Sequence, residues 1–163
     1  MKTILNITHP ITLSHHGSYK YLNKQMLRFT TWLEENKEEV LKHFTLRPEI
    51  EIRLRPLPRR RKSGSGGRGK VELDVSQGLR SMVETLCHEL THEEQYFEGR
   101  LVNFNRKTAE WSGQLMKVYW PGSCKRAHER YEALPWEVEA RERAAAAMVV
   151  LEKVLGKIPN DVV

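Results

Sequence analysis

Residues 76–99 read SQGLRSMVETLCHELTHEEQYFEG, and the spacing of their apolar positions decides what kind of chain this is. Leu79, Met82, Val83, Leu86 and Leu90 recur at three and four, which is the period of a helix with one apolar face. Ser76 offers an N-cap and Gly99 a stop. On such a helix His88 and His92 share a face about 6 Å apart along the axis, so both imidazoles can converge on one ion. Glu89 is turned about 100° from His88, which sets it beside such an ion without forcing it to ligate. A carboxylate in that place can take a proton from water and pass it to a leaving amine, which makes Glu89 a candidate general base. Composition alone produces an HExxH spacing in about 3% of chains of this kind, so the surrounding sequence must carry the assignment.

Outward from this helix the chain reads as one α+β domain spanning residues 1–163. Leu22, Met26, Phe29, Leu33, Val40 and Phe44 mark an N-terminal amphipathic helix over Ser18–Phe44. Ile50, Ile52 and Leu54 alternate with Glu51, Arg53 and Arg55, and Val71, Leu73 and Val75 alternate with Glu72 and Asp74, so both stretches are half-buried strands. Residues 56–69, PLPRRRKSGSGGRG, are expected to be a flexible basic loop closing a hairpin between them. The stretch TAEWSGQLMKVYW, 108–120, has strand-forming residues around Gly113. A last helix opens at Pro135 and runs to Gly156. The expected sheet is short and mainly antiparallel.

Two histidines need a third protein ligand if a fourth position is to stay open for chemistry. The candidates downstream are His128, Glu132, Glu137 and Glu139. On the last helix Glu137 falls on the stripe of Ala140, Ala144, Met148, Leu151 and Leu155, the apolar face, whereas Glu139 shares a mixed face with Trp136 and Arg143. A carboxylate on an inward stripe calls for a partner or a metal, which puts Glu137 first. His128 lies in a charged stretch without clear period. Tyr131 could set a phenol near the ion to stabilise an oxyanion, or pack against the helix start. Trp111, Trp120 and Trp136 fit either a substrate cleft or the core.

The net charge of +6 is concentrated: Arg53, Arg55, Arg59, Arg60, Arg61, Lys62, Arg68 and Lys70 put +8 on one segment that holds no acid. Arg59, Arg60, Arg61, Lys62 and Arg68 are therefore the candidate contacts to nucleic acid or an acidic partner, although no aromatic residues lie among them to stack on bases. Two cysteines, Cys87 and Cys124, are too few for a disulfide scaffold. The N-terminal apolar run is too brief for a signal peptide, and no stretch reaches transmembrane length. A cytoplasmic protein without membrane contact is the expectation.

HELTH followed by YEALPWEVEAR, with KVELDVS before and EWSGQLMKV between, resembles the zincin metallopeptidases. The resemblance is to the small bacterial and phage-encoded ones, of minigluzincin, SprT-like or ImmA/IrrE-like type. It implies a zincin-like fold, Zn2+ held by His88, His92 and an acid of PWEVEA, Glu89 as general base, and a peptide or protein substrate laid along an edge strand, with Val71–Val75 the candidate edge. Arg141 stands four residues after Glu137, where better known gluzincins carry Asn or Asp. The alternative is a catalytically inactive domain of the same shape that binds nucleic acid or a nucleoprotein through residues 53–70.

Overall fold

The computed structural model describes residues 2–8, 17–57, 64–103, 105–122 and 124–161. Arg59, Arg60, Arg61 and Lys62, the densest part of the basic segment, lie outside these residues. In chain order the elements are β1 (Ile4–Thr8), α1 (Gly17–Leu41), β2 (Glu49–Arg55), β3 (Gly64–Gly67), β4 (Lys70–Asp74), α2 (Leu79–Phe97), β5 (Leu101–Asn103), β6 (Thr108–Trp111), β7 (Gln114–Lys117), α3 (Lys125–Glu132) and α4 (Pro135–Leu155). The expected mixed α+β class holds, as do the long helices.

Four strands form one sheet in the order β1-β2-β4-β3. Alternation places Ile50, Ile52, Leu54, Val71 and Leu73 on a single face, where α1, α2 and α4 cover them with Phe29, Leu33, Val83, Leu86, Leu90, Met148 and Leu151. This is the main core, assembled by burial of the apolar face of each element. The opposite face is polar: Arg53 pairs with Glu51 at 2.9 Å and Arg55 with Glu72 at 2.5 Å. Two of the basic residues read as a partner surface are thus engaged by carboxylates of their own sheet.

Several expectations are corrected here. β2 and β4 do not form a hairpin; they are parallel neighbours, with Glu51 opposite Lys70 and Arg55 opposite Asp74. The chain passes β4's position and returns to it through β3, which pairs antiparallel with β4 from Gly64↔Leu73 to Gly67↔Lys70. Residues 64–67 of the expected loop are therefore strand. A two-residue turn, Arg68 and Gly69, joins β3 to β4 with φ of +56° and +88°, the doubly positive geometry that matches strand twist. β4 lies between β2 and β3, so Val71–Val75 is interior and the edge next to α2 is β3. A strand, β1, precedes the N-terminal helix and pairs parallel with β2.

Ser76 does not cap α2. Its amide and hydroxyl both donate to Asp74 Oδ1, and the N-cap is Gly78 with no side-chain hydrogen bond. The cap comes from the far end of the described chain: Asn160 Oδ1 accepts from the Ser81 amide at 3.0 Å and Pro159 O from the Arg80 amide at 3.1 Å. Gly78 permits this, since a Cβ there would stand 2.4 Å from Asn160 O. Gly99, with φ of +71°, ends α2 as expected, and its amide donates to Tyr96 O.

The segment between α2 and α4 builds a second, smaller layer. β5, β6 and β7 form an antiparallel sheet, and the stretch read as one strand over 108–120 is instead the β6–β7 hairpin, turned at Ser112 and Gly113 with φ of +48° and +86°. Leu101, Ala109, Tyr131, Leu134 and Trp136 make its core. Among the described residues, no helix is long and apolar enough to cross a membrane.

Candidate metal centre

α2 and α4 lie side by side and bring three donors to one point. His88 Nε2 and His92 Nε2 are 3.1 Å apart, Glu137 Oε2 is 3.3 Å from His88 Nε2, and Glu137 Oε1 is 3.4 Å from His92 Nε2. Donors held 2.0–2.1 Å from a common centre at tetrahedral angles stand about 3.4 Å from one another, so this spacing suits a small four-coordinate ion. The donor set is two imidazole nitrogens and one carboxylate. His88, His92 and Glu137 can hold a metal ion.

Pro135 at the first position of α4 fixes where that helix begins, and so places Glu137 in its first turn. The Glu137 carboxylate is 4% exposed and accepts a 2.5 Å hydrogen bond from Tyr131 OH on Oε1. Burial pushes the Tyr131 phenol well above its ordinary value, and the Glu137 charge adds to this, so the phenol remains a donor across the neutral range. Burial opposes charge on His92, but the hydrogen bond to Glu137 and the charges of Glu89 and Glu137 outweigh it, and its net shift is upward.

Glu139 is not at this point. Its carboxylate is bound by Arg100 at 2.8 and 3.0 Å and by Gln95 Nε2 at 2.8 Å. His128 is exposed on α3, 3.2 Å from Glu132. Cys87, next to His88 in sequence, is buried in the main core, and burial lifts its thiol to about 12, so it is an inert packing residue.

Gln95 is the residue that sequence reading missed. Its Oε1 stands 2.9 Å from His92 Nδ1, while its Nε2 donates to Trp136 O at 3.1 Å and to Glu139. With Oε1 accepting, the His92 proton resides on Nδ1 and Nε2 is left to ligate. The same amide holds α4 one residue before Glu137, so a single side chain aligns two of the three donors. Its position three residues after His92 was the available signal, because i and i+3 are neighbours on a helix. The adjacent acids are equally enclosed: Glu94 binds Arg143 and the Thr45 amide, and Glu93 binds Arg47 Nε at 3.2 Å and the Gly69 amide at 2.7 Å. Burial raises Glu93 above the usual carboxylate range despite those donors.

Glu89 follows His88, is 4% exposed and lines the open space on both sides of the triad. Strand β3 runs directly against it. A Cβ at Gly66 would stand 2.9 Å from Glu89 O and 3.0 Å from Oε2, and one at Gly64 would stand 2.7 Å from Thr85 Cγ2. The glycines read as loop punctuation are what lets the edge strand approach the helix at the general-base candidate.

Comparison of this chain with protein-family models, with curated proteins and with solved structures finds no match.

Proposed function

We propose that the chain is a zinc-dependent metallopeptidase. The observation that carries this reading is the convergence of His88, His92 and Glu137 at 3.1–3.4 Å with Glu89 next in sequence to the first of them. Two imidazoles and a carboxylate suit zinc, and a purely structural site would fill the fourth position with protein and need no base beside it. Bound zinc supplies Lewis-acid polarisation of a carbonyl and makes water nucleophilic at neutral pH. Glu89 takes the proton of the attacking water and delivers it to the departing amine nitrogen. Tyr131 holds Glu137 Oε1 and keeps that carboxylate from turning away. β3, the outer strand of its sheet among the described residues and close to Glu89, would give an extended peptide a row of backbone partners.

Metal analysis of the purified protein, paired with cleavage of an unstructured protein such as casein, tests the reading. Zinc near one equivalent is expected, with Glu89→Gln keeping the metal and losing hydrolysis. A protein that binds no zinc, and whose melting temperature ignores added zinc and chelator alike, would sink it.

A further inference from the structure

Two cavities flank the triad, and their walls differ in chemistry. The one on the His88 side, about 390 Å³, is bordered by Glu84, Thr85, Glu132 and Arg141. The one on the His92 side, about 280 Å³, is walled by Tyr96, Leu101, Tyr119, Trp120, Leu134 and Trp136, and Glu89, His92 and Glu137 lie along it. We infer that the His92-side cavity seats one aromatic side chain of the substrate, next to the bond that is cut. This inference rests on the peptidase reading and names what that site selects.

The volume lies just below the ~300–1,000 Å³ of ligand pockets, which suits one residue and not a large molecule. The aromatic wall is fixed before anything enters. Trp136 is buried against Trp111 with ring centroids 6.1 Å apart, and the Tyr119 ring is flanked by Lys117 and Arg130 at 5.5 and 5.6 Å. Tyr96 OH accepts from Asn103 Nδ2 at 2.5 Å.

Trp120 is the telling member. It is 57% exposed, yet its Nε1 donates to Arg106 O at 2.7 Å, so a large apolar ring is held at the cavity with more than half of its surface open. A ring restrained in that way gains most from a ligand surface that covers it. Gly66 of β3 also borders the cavity. A peptide paired along β3 turns alternate side chains toward α2, and the one passing Gly66 enters the aromatic wall.

The test uses zinc-loaded protein and two hydroxamates that differ by one ring, acetohydroxamate and 3-phenylpropanohydroxamate, titrated by calorimetry and by tryptophan fluorescence. The phenyl probe is expected to bind about tenfold tighter or more. Trp120→Ala removes most of that gain and leaves acetohydroxamate unchanged, while Trp120→Phe restores it. Equal affinities for the two probes in the unmodified protein overturn the inference, as does a gain that survives in both Trp120→Ala and Tyr119→Ala. Acetohydroxamate binding with no phenyl gain isolates the failure to the cavity. Failure of both probes to bind zinc-loaded protein overturns the inference together with the reading beneath it.

Discussion

Gln95 does at one residue what a pair of side chains would otherwise share: it sets the tautomer of His92 and grips the backbone beside Glu137. Groups placed behind metal ligands change affinity by about 10–100-fold when removed, and Gln95→Leu is expected to weaken zinc binding by that factor, read by competition against a chromophoric chelator. An unchanged affinity would mean that His92 needs no orienting partner. Gly66 makes a second prediction at this scale. Gly66→Ala crowds Glu89 Oε2 and should cut peptide hydrolysis far more than it lowers metal content, measured on the same preparation. His88, Glu89, His92 and Glu137 were legible in the sequence because helical period reports which residues share a face. Gln95 was not, because Glu93-Glu94-Gln95 reads as a solvated helix end; each is buried only because β4's turn, α4 and the segment after α1 close around them.

At the scale of elements, α2 depends on a cap donated from residues 159–160. Asn160→Ala removes the acceptor of the Ser81 amide and should cost about 0.5–2 kcal/mol in denaturant unfolding, the range for lost helix caps. Ser76→Ala, by contrast, should leave the start of α2 intact. Acid acts on the same tail. The Arg28 guanidinium holds Asp161 below its usual value, and Arg80 with the Ile158 amide does the same for Glu152. Depressed carboxylates stabilise above their unfolded values and lose that contribution as the pH falls through the folded ones, so the tail should loosen on acidification, visible as lower amide protection at Arg80 and Ser81 relative to the intrinsic exchange rate at each pH. The helices, β2 and β4 were readable from period. β3 was not, because GSGG has no strand propensity and is held by its turn and by its closeness to α2. With β3 unseen, the parallel order of β2 and β4 could not be found.

For the whole molecule, a metal ion held by the triad would tie α2 to α4 across every residue between His92 and Glu137. Zinc at a hundredfold excess over its dissociation constant should add about 2.7 kcal/mol to folding. The pH dependence should have opposite signs in the two states. In the metal-free chain His92 is raised above its ordinary value, so its contribution is full below the unfolded value and fades as the pH rises through the folded one. In the loaded chain the imidazoles must be unprotonated, so the stabilisation grows with pH. The gap between the two melting temperatures should therefore widen from about pH 6 to pH 8, and a constant gap would mean that the imidazoles do not bind the ion.

The layer of β5, β6 and β7 leaves α2 at Gly99 and returns through α3 to α4 at Pro135, so it lies in the chain between the two helices that carry the triad. It contributes none of the three donors. Its core is nevertheless shared with Tyr131, which donates to Glu137, and with Trp136, the residue before it, so the strands act as a backstop for Glu137: repacking them should shift metal affinity although they supply no ligand.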